Sequence, residues 1–433
     1  MIRAMHRRRI AHIIAAFALT AALGGLPIAL ASSADAAMPA QFRRGIGITT
    51  MAWAEVEPES SHAFVFPPFA DRTLTNGELQ ALRRNGFDFV RFAVDPGPFL
   101  QFTGSRRDTL DRMLMERVKL ILDAGLGVIV DFHPSDLNPD YSAEALTAGA
   151  ATPIFQAYIR LLAHTAVMLA ALHSDNVALE IMNEPPVEQA LWQPMLEAAY
   201  AAVRASAARL PIVVQGGAPS SVEGLLQMRT APFINDPAVL FTFHYYDPYQ
   251  FTHQGASWNN ARYLSDVPYP PWARPLKDSL DASAALIAAA DLPTDQKSAA
   301  YHAAQRQLES YRASGFDRHA IGNRFTEIAA WARAQGIAAD RILLGEFGAR
   351  ETPLQRDSDR AAERARWFRD VREEADTLGF GWAVWVYRGQ GGFALASETG
   401  GGIEPAIAAA LGLNSPAARK AAVPAAATRL RIP

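Results

Sequence analysis

The sequence predicts an α/β protein built as a single (β/α)8 TIM barrel. Short apolar runs alternate with helical patterns along the chain, as expected for a parallel sheet. Eight such runs occur, and several are apolar almost throughout, as strands covered on both faces are. An open doubly wound sheet is the alternative fold. It usually has a glycine-rich turn after its first strand, and none is evident here.

The eight predicted strands cover residues 45–49, 87–92, 127–132, 177–182, 211–215, 239–243, 342–344 and 381–385. Helical patterns fill most connections between them. Residues 107–124 place apolar side chains on one face, and Gly125 marks the end of that helix. Thr152 and Pro153 open a helix that extends to about residue 173. Residues 358–377 form a charged helix that ends before Gly379.

The connection between the sixth and seventh strands is long, and we call residues 247–340 the β6α6 excursion. Its start, to about Trp272, is rich in aromatic residues, proline and asparagine. Its remainder is rich in alanine and predicts two or three helices. We expect an enlarged part of the same barrel and not a separate domain.

The two ends of the chain are predicted to lie outside the barrel. Arg7-Arg8-Arg9, an apolar stretch over 10–30 and the small residues around Asp35 predict a signal peptide over residues 1–36. A retained membrane anchor is the alternative. We therefore expect a secreted or periplasmic protein whose barrel domain covers residues 37–413. Residues 414–433 lack periodicity and predict a disordered tail.

Composition limits the classes of function. The chain has no cysteine, which excludes disulfides and thiolate metal sites. Its formal net charge is −3 and it has no long basic run, so we expect no nucleic-acid partner. No apolar run beyond the N-terminal one is expected to span a bilayer, so no membrane contact is expected after signal cleavage. A monomer that acts on a neutral substrate is the simplest expectation.

Polar and aromatic side chains stand at the ends of most predicted strands. Such ends converge on one face of a barrel. The residues concerned are Arg91, Asp131, His133, Asn183, Glu184, His244, Tyr246, Glu346 and Trp385. Two glutamates, at the ends of strands four and seven, face each other across an eight-stranded barrel. Cleavage of a glycosidic bond requires such a pair, one to transfer a proton and one to attack carbon or to steady a water.

Asn183-Glu184-Pro185, His244-x-Tyr246 and Gly345-Glu346-Phe347-Gly348 follow one another on the predicted strands. With these motifs in this order, residues 43–411 resemble glycoside hydrolase family 5, the large cellulase family of the retaining (β/α)8 clan. The resemblance implies that Glu184 is the general acid/base and Glu346 the nucleophile. It also makes residues 37–413 a glycoside hydrolase catalytic domain.

The resemblance implies roles for further residues. Arg91 and Tyr246 would donate hydrogen bonds to the nucleophile, and Asn183 would bind the 2-hydroxyl of the sugar.

His133 and His244 would bind sugar hydroxyls and shape the surroundings of the acid. Trp385 would form the floor under the sugar before the cleaved bond. The chain departs from the family pattern at Pro134, where a glycine usually follows the histidine.

Three further residues are candidates for contact with substrate. Trp258 and His253 lie in the excursion, and Trp53 follows the first strand. Aromatic groups there suit sugars, whose faces are apolar and whose rims carry hydroxyls.

Other residues near the strand ends have a structural interpretation. Glu180 is expected to form an ion pair inside the barrel, and Arg91 is a candidate partner. Asp131 is interpreted as structural and Trp382 as packing. Tyr245 should point away from the tyrosine that follows it, because side chains alternate along a strand.

The sequence therefore predicts a retaining endo-β-glycanase that acts on β-1,4-glucan, cellulose or a soluble β-glucan, without a cofactor. A β-mannanase or an exo-acting β-glucosidase-like hydrolase is an alternative, because residues around the cleft decide the sugar.

Two other classes remain open. A metal-dependent barrel hydrolase would usually show His-x-His on its first strand, and residues 45–49 contain no ligand. A non-catalytic sugar-binding barrel would usually lack one of the two glutamates, and both are present.

Overall fold

The computed structural model describes residues 42–57, 62–69, 73–352, 358–389, 391–396 and 402–413, without the side chains of residues 358 and 359. These residues belong to one unit, Ala37–Pro433. The predicted signal peptide, residues 1–36, and the predicted tail, residues 414–433, lie outside the described residues.

The apolar runs form the parallel strands of a closed barrel, in which neighbours follow chain order and the last strand pairs with the first. The strands are β1 Arg44–Met51, β2 Phe89–Val94, β3 Gly127–Phe132, β4 Val177–Glu180, β5 Ile212–Gln215, β6 Val239–Tyr245, β7 Ile342–Phe347 and β8 Gly381–Val384. The predicted fold class is confirmed, and each predicted strand overlaps an observed one.

Two strand boundaries differ from the prediction for local reasons. The amide of Phe87 bonds to the carbonyl of Leu82 at the end of a helix, so β2 begins at Phe89. β4 ends at Glu180, because beyond it the amide of Asn183 bonds back to Phe132 of β3 and the regular ladder stops.

Helices cover the outside of the barrel. They are α1 Asn76–Asn85, α2 Gly97–Gln101, α3 Gly104–Asp123, α4 Ala143–Leu146, α5 Pro153–Ala170, α6 Gln189–Ser206, α7 Gly217–Ser220, α8 Val222–Leu226, α9 Tyr249–Thr252, α10 Leu276–Ala289, α11 Thr294–Ser314, α12 Arg318–Gln335, α13 Ser358–Leu378 and α14 Pro405–Ala410. The predicted helices correspond to α3, α5 and α13. The Thr152 side chain accepts from the Phe155 amide at the start of α5, as an N-cap does.

α5 has the length and apolar composition of a membrane span, which the sequence analysis did not expect of any segment beyond the N-terminus. Its buried side chains, among them Phe155 and Tyr158, pack into the main hydrophobic core. A core helix of a soluble protein passes the same test of length and composition.

The barrel interior changes from apolar to charged along the strands. The apolar layer comprises Phe42, Phe89, Ile129, Ala178, Val213, Leu240, Leu343 and Ala383. Alternate strand residues share a face, so the next inward residues on β2, β3 and β4 are Arg91, Asp131 and Glu180, all fully buried. The strand pattern therefore places a charged layer directly above an apolar plug.

β1 leaves room for this interior. A Cβ atom on Gly47 would lie 2.7 Å from the ring of Trp385, closer than a side chain allows. Glycine at this position thus lets the tryptophan after β8 lie across the mouth of the barrel.

The excursion contains α9 to α12, and the predicted helices of its alanine-rich part are confirmed. Asp266, which is 4% exposed, fastens it to α13. Its carboxylate lies 2.9 Å from Arg274 and 2.6 Å from Arg360 of α13, while Arg274 reaches Glu363 of α13 at 2.9 Å.

Candidate active site

Arg91 is the cation at the centre of the charged layer. Its Nε and Nη2 each donate to Glu180 at 2.8 Å, its Nη1 donates to Glu346 at 2.5 Å, and its Nη2 lies 3.1 Å from Asp131. Burial alone would lower the pKa of Arg91, but the three carboxylates together raise it well above its usual value. Arg91 therefore stays charged, and the expected ion pair of Glu180 is formed with it.

Both carboxylate oxygens of Glu346, on β7, accept hydrogen bonds. Oε1 accepts from Arg91, and Oε2 accepts from the hydroxyl of Tyr246 at 2.8 Å. Burial and the nearby carboxylates hold the pKa of Tyr246 well above its usual value, so its hydroxyl remains a donor. Two donors on separate elements therefore fix the orientation of this carboxylate at the mouth of the barrel.

Glu184 has different surroundings. Its side chain is 36% exposed, and its Oε1 lies 2.8 Å from Nδ1 of His244. Its backbone φ is 42°, a left-handed conformation that is uncommon for a residue with a side chain. Enclosure by protein raises the pKa of Glu184, opposed by the positive charge of Arg91 and by His133. The raised pKa means that the carboxyl of Glu184 keeps a proton to a higher pH than an ordinary glutamate does.

His244 is neutral at neutral pH, because burial lowers its pKa to about 4. The neutral ring and the carboxyl of Glu184 can hold one proton between them across the 2.8 Å contact. That arrangement suits a group that gives a proton and later takes one back.

The two glutamates approach each other closely at the mouth of the barrel. One oxygen of each, together with a ring nitrogen of His244, lie within 4.8 Å of one another. This spacing could also hold a metal ion. However, the guanidinium of Arg91 is 2.5 Å from Glu346, and its positive charge disfavours a second cation there.

A second chain of hydrogen bonds fixes the amide of Asn183. Nη2 of Arg91 donates to its Oδ1 at 2.9 Å, and its Nδ2 lies 3.3 Å from Nε2 of His133. The other ring nitrogen of His133 lies 3.0 Å from Asp131. A proton on Nδ1 of His133, bonded to Asp131, leaves Nε2 free to accept from Asn183. Burial raises the pKa of Asp131 to about 6 and lowers that of His133.

Aromatic rings line one side of the same space. Trp385 is 8% exposed and stacks on His133, with ring centroids 5.4 Å apart and planes inclined by 5°. Trp53 is 37% exposed and lies edge-on to both rings, at 5.6 Å and 6.2 Å. The structure thus brings Trp53 and Trp385 together at the mouth of the barrel.

The other two candidates belong to the excursion and have different contacts. His253 is 8% exposed and lies behind Tyr246, with ring centroids 5.1 Å apart. Trp258 is 57% exposed, and its ring centroid lies 6.5 Å from that of Phe393.

The residues with an expected structural role occupy the expected places. Tyr245 packs outward on Phe325 of α12, and Trp382 packs on Phe347. Asp131 forms the ion pair described above and also orients His133, a contact that was not predicted from the sequence. The sequence signal for this contact is the i, i+2 spacing of the two residues, which places their side chains on one face of a strand.

A family model described as cellulase (glycosyl hydrolase family 5) matches residues 55–391. Because this match covers more than half of the sequence, the chain belongs to glycosyl hydrolase family 5 and is a glycosyl hydrolase of the cellulase type.

Two curated relatives are similar to this chain in sequence. Endoglucanase 3 of Fibrobacter succinogenes is 25% identical over 341 residues, which are 74% of this chain and 47% of the relative. Cellodextrinase A of Ruminococcus flavefaciens is 24% identical over 190 residues, 43% of this chain and 56% of the relative. The chain spans about half the length of these curated relatives.

Solved structures share the fold. Endoglucanase Cel5A of Thermotoga maritima has a TM-score of 0.59 and 19% identity, covering 86% of this chain and 97% of its own. The cellulose synthase subunit Z of Clostridioides difficile has a TM-score of 0.59 and 20% identity, covering 85% of this chain and 99% of its own. At these identities the likeness concerns the fold.

Proposed function

We propose that the protein is a retaining endo-β-glycanase that hydrolyses β-1,4-glucan, with Glu346 as nucleophile and Glu184 as general acid/base. The observation that carries the proposal is that one carboxylate oxygen of Glu184 and one of Glu346 lie within 4.8 Å of each other, too close for a water to act between the two groups. Retaining glycosidases hold their carboxyl groups about 5–5.5 Å apart, whereas inverting ones leave about 6.5–9.5 Å for a water.

The different surroundings of the two glutamates support the division of roles. Ionised Glu346 attacks the anomeric carbon while protonated Glu184 donates to the oxygen of the leaving sugar. A glycosyl ester on Glu346 results. Glu184, now ionised, takes a proton from water, the oxygen of that water bonds to the anomeric carbon, and Glu346 leaves. Each of the two steps inverts the configuration of the anomeric carbon, so the product retains the configuration of the substrate.

The remaining residues are proposed to hold the sugar in the subsite before the cleaved bond. Trp385 offers an apolar surface for the sugar face, as aromatic rings in sugar sites do. The amide of Asn183 is oriented by Arg91 and His133 and retains a second N–H for a sugar hydroxyl. A donor fixed in advance costs little reorganisation in the transition state.

The names of the relatives support a glucan substrate, since they are an endoglucanase and a cellodextrinase. A mannan is the second candidate. A structure of Thermotoga maritima Cel5A was solved in complex with mannotriose and others with cellobiose, so this fold accommodates both kinds of sugar.

We also propose that residues 1–36 direct export, so that the enzyme acts in the periplasm or outside the cell. A basic segment, an apolar segment and a small-residue site support this. N-terminal sequencing of the mature protein checks it, and a start at Ala37 is the expected result.

The test is product release from carboxymethylcellulose, barley β-glucan, glucomannan, galactomannan and xylan, with products resolved by size. We expect mixed oligomers from the glucans and loss of nearly all release in Glu346→Ala. The control is Glu197→Ala, a carboxylate on α6 whose partner is the exposed Arg229, and this variant should match the wild type. Release from mannan alone would change the substrate and keep the mechanism. No release from any polysaccharide would contradict the proposal.

A further inference from the structure

The backbone that carries Glu184 leaves the sheet before it reaches this residue. β4 ends at Glu180, and residues 181–184, which we name the acid segment, follow it outside the strand. Glu184 has a φ of 42°, a left-handed conformation that costs free energy in a residue with a side chain. Such a conformation persists where the surrounding contacts determine it. The contacts of the acid segment therefore decide where the carboxyl of Glu184 lies.

Two consecutive carbonyls of the acid segment accept hydrogen bonds from side chains. Ile181 and Met182 are fully buried, so their carbonyls need partners within the protein. The hydroxyl of Tyr158, on α5, donates to the carbonyl of Ile181 at 2.5 Å. The side-chain amide of Gln215, the last residue of β5, donates to the carbonyl of Met182. These two side chains supply donors that the backbone of a neighbouring strand supplies in a regular ladder.

Both donors are fixed by their own surroundings. Tyr158 is fully buried, and its ring lies edge-on to that of Phe132 with centroids 6.1 Å apart. Gln215 is also fully buried, and its backbone carbonyl accepts from Nε1 of Trp192 at 2.9 Å. The donors therefore have little freedom to follow a shift of the acid segment, and their hydrogen bonds hold it in one place.

The carboxyl of Glu184 depends on this backbone more than its catalytic neighbours do. Among the described residues, its side chain forms one hydrogen bond, to a histidine. Glu346 lies within β7, and both of its oxygens accept hydrogen bonds. The side chain of Asn183 has two contacts of its own, to Arg91 and His133. A shift of the acid segment would therefore displace the proton donor first.

We propose that Tyr158 and Gln215 are positioning residues for the general acid/base. Their hydrogen bonds fix the backbone just before Glu184 and so aim its carboxyl at the oxygen of the leaving sugar. A misplacement of about 1 Å in such a group can cost about a hundredfold in rate. The inference rests on the proposed role of Glu184, and it adds two residues that act through the backbone and not on the substrate.

A comparison of leaving groups tests the proposal. Phenol needs a proton from Glu184 as it leaves phenyl β-cellobioside, whereas dinitrophenolate leaves the dinitrophenyl β-cellobioside without one. We expect Tyr158→Phe and Gln215→Leu each to lower kcat/KM for the phenyl substrate by about tenfold, a part of the roughly 10²–10⁴ that positioned proton transfer contributes. The loss for the dinitrophenyl substrate should be less than about twofold, because its departure does not use the acid.

Two reference variants and a titration keep the comparison interpretable. Tyr311→Phe removes another buried hydroxyl, one that donates to the carbonyl of Pro268 in the excursion at 2.9 Å, and should leave both values unchanged. Glu184→Ala gives the full effect of losing the acid, a large loss for the phenyl substrate and a small one for the dinitrophenyl substrate. Titration with a slow 2-fluoro glycoside counts the folded active sites, so a loss of folded protein does not enter kcat/KM.

The outcomes separate the positioning role from the proposed function. Equal losses on the two substrates, or no loss on either, in Tyr158→Phe or Gln215→Leu would overturn the role of that residue, while the expected pattern in Glu184→Ala upheld the proposed function. Equal losses on the two substrates in Glu184→Ala would overturn the proposed role of Glu184 and the positioning inference with it.

Discussion

At the scale of single residues, the site is governed by one cation among four carboxylates. Arg91 neutralises part of the charge of Asp131, Glu180 and Glu346, and Glu184 lies outside its direct contacts. Burial raises the pKa of Glu184 and so favours a proton on this carboxyl. The two glutamates therefore differ in their surroundings, as the proposed division into proton donor and nucleophile requires.

Arg91→Lys tests that role. A lysine has a single ammonium and cannot span Glu180 and Glu346 as the guanidinium fork does. We expect kcat to fall by at least about a hundredfold and the free energy of unfolding to fall by about 3–5 kcal/mol, measured by urea unfolding. Arg318→Lys is the control. It changes an arginine of α12 that is 46% exposed and paired with Glu373 and Glu374, and should cost under about 1 kcal/mol. Equal losses of activity and stability in the two variants would contradict the central role of Arg91.

Much of this site was predictable from the sequence, because period-two alternation and strand order place Arg91, Glu180 and Glu346 on inward faces. The left-handed backbone of Glu184 was not predictable, since it depends on the chain leaving β4 after Glu180.

At the scale of elements, the end of β6 and the helix α9 form one packed unit through His253. Burial lowers the pKa of His253 to about 3, with the positive charge of Arg350 acting in the same direction. Below the usual pKa of about 6.5, the unfolded chain binds a proton here that the folded chain does not. Stability is therefore lost as the pH falls from about 6.5 toward 3.

His253→Gln removes this titration. As the pH falls from 6.5 to 4.5, the free energy of unfolding should decline more steeply in the wild type than in this variant. The difference in slope should be on the order of 1.4 kcal/mol for each pH unit. Urea unfolding at several pH values measures the two slopes. His319→Gln, on the exposed face of α12, should retain the wild-type slope. Parallel slopes for the wild type and His253→Gln would show that His253 does not carry the effect.

Element boundaries were less predictable than the elements themselves. The apolar runs identify all eight strands, but Phe87 bonds to Leu82 and so belongs to the end of α1. Such bonds between neighbouring elements depend on the three-dimensional path and leave no pattern in a single run of residues.

At the scale of the whole molecule, the barrel holds the glutamates and the excursion builds one wall beside them. Asp266 binds Arg360 of α13, and Arg274, which also binds Asp266, reaches Glu363 of α13. These ion pairs join the excursion to a helix of the barrel.

Asp266→Asn should weaken that attachment, because an amide leaves the two arginines without their shared counter-charge. The arginines are partly exposed, so we expect a loss of about 1–3 kcal/mol in the free energy of unfolding, measured with urea. Asp281→Asn, whose exposed partner is Lys277, is the matched control and should leave the free energy of unfolding unchanged. A loss no larger than that of the control would contradict the attachment.

The central claim is that Glu184 and Glu346 act as a retaining pair. Its most direct test is the anomeric configuration of the first product, followed by proton NMR while the wild type cleaves a β-1,4-linked glucan oligosaccharide. The account predicts that the β-anomer appears first and then equilibrates with the α-anomer. An α-anomer as the first product would contradict the double displacement and the roles given to both glutamates.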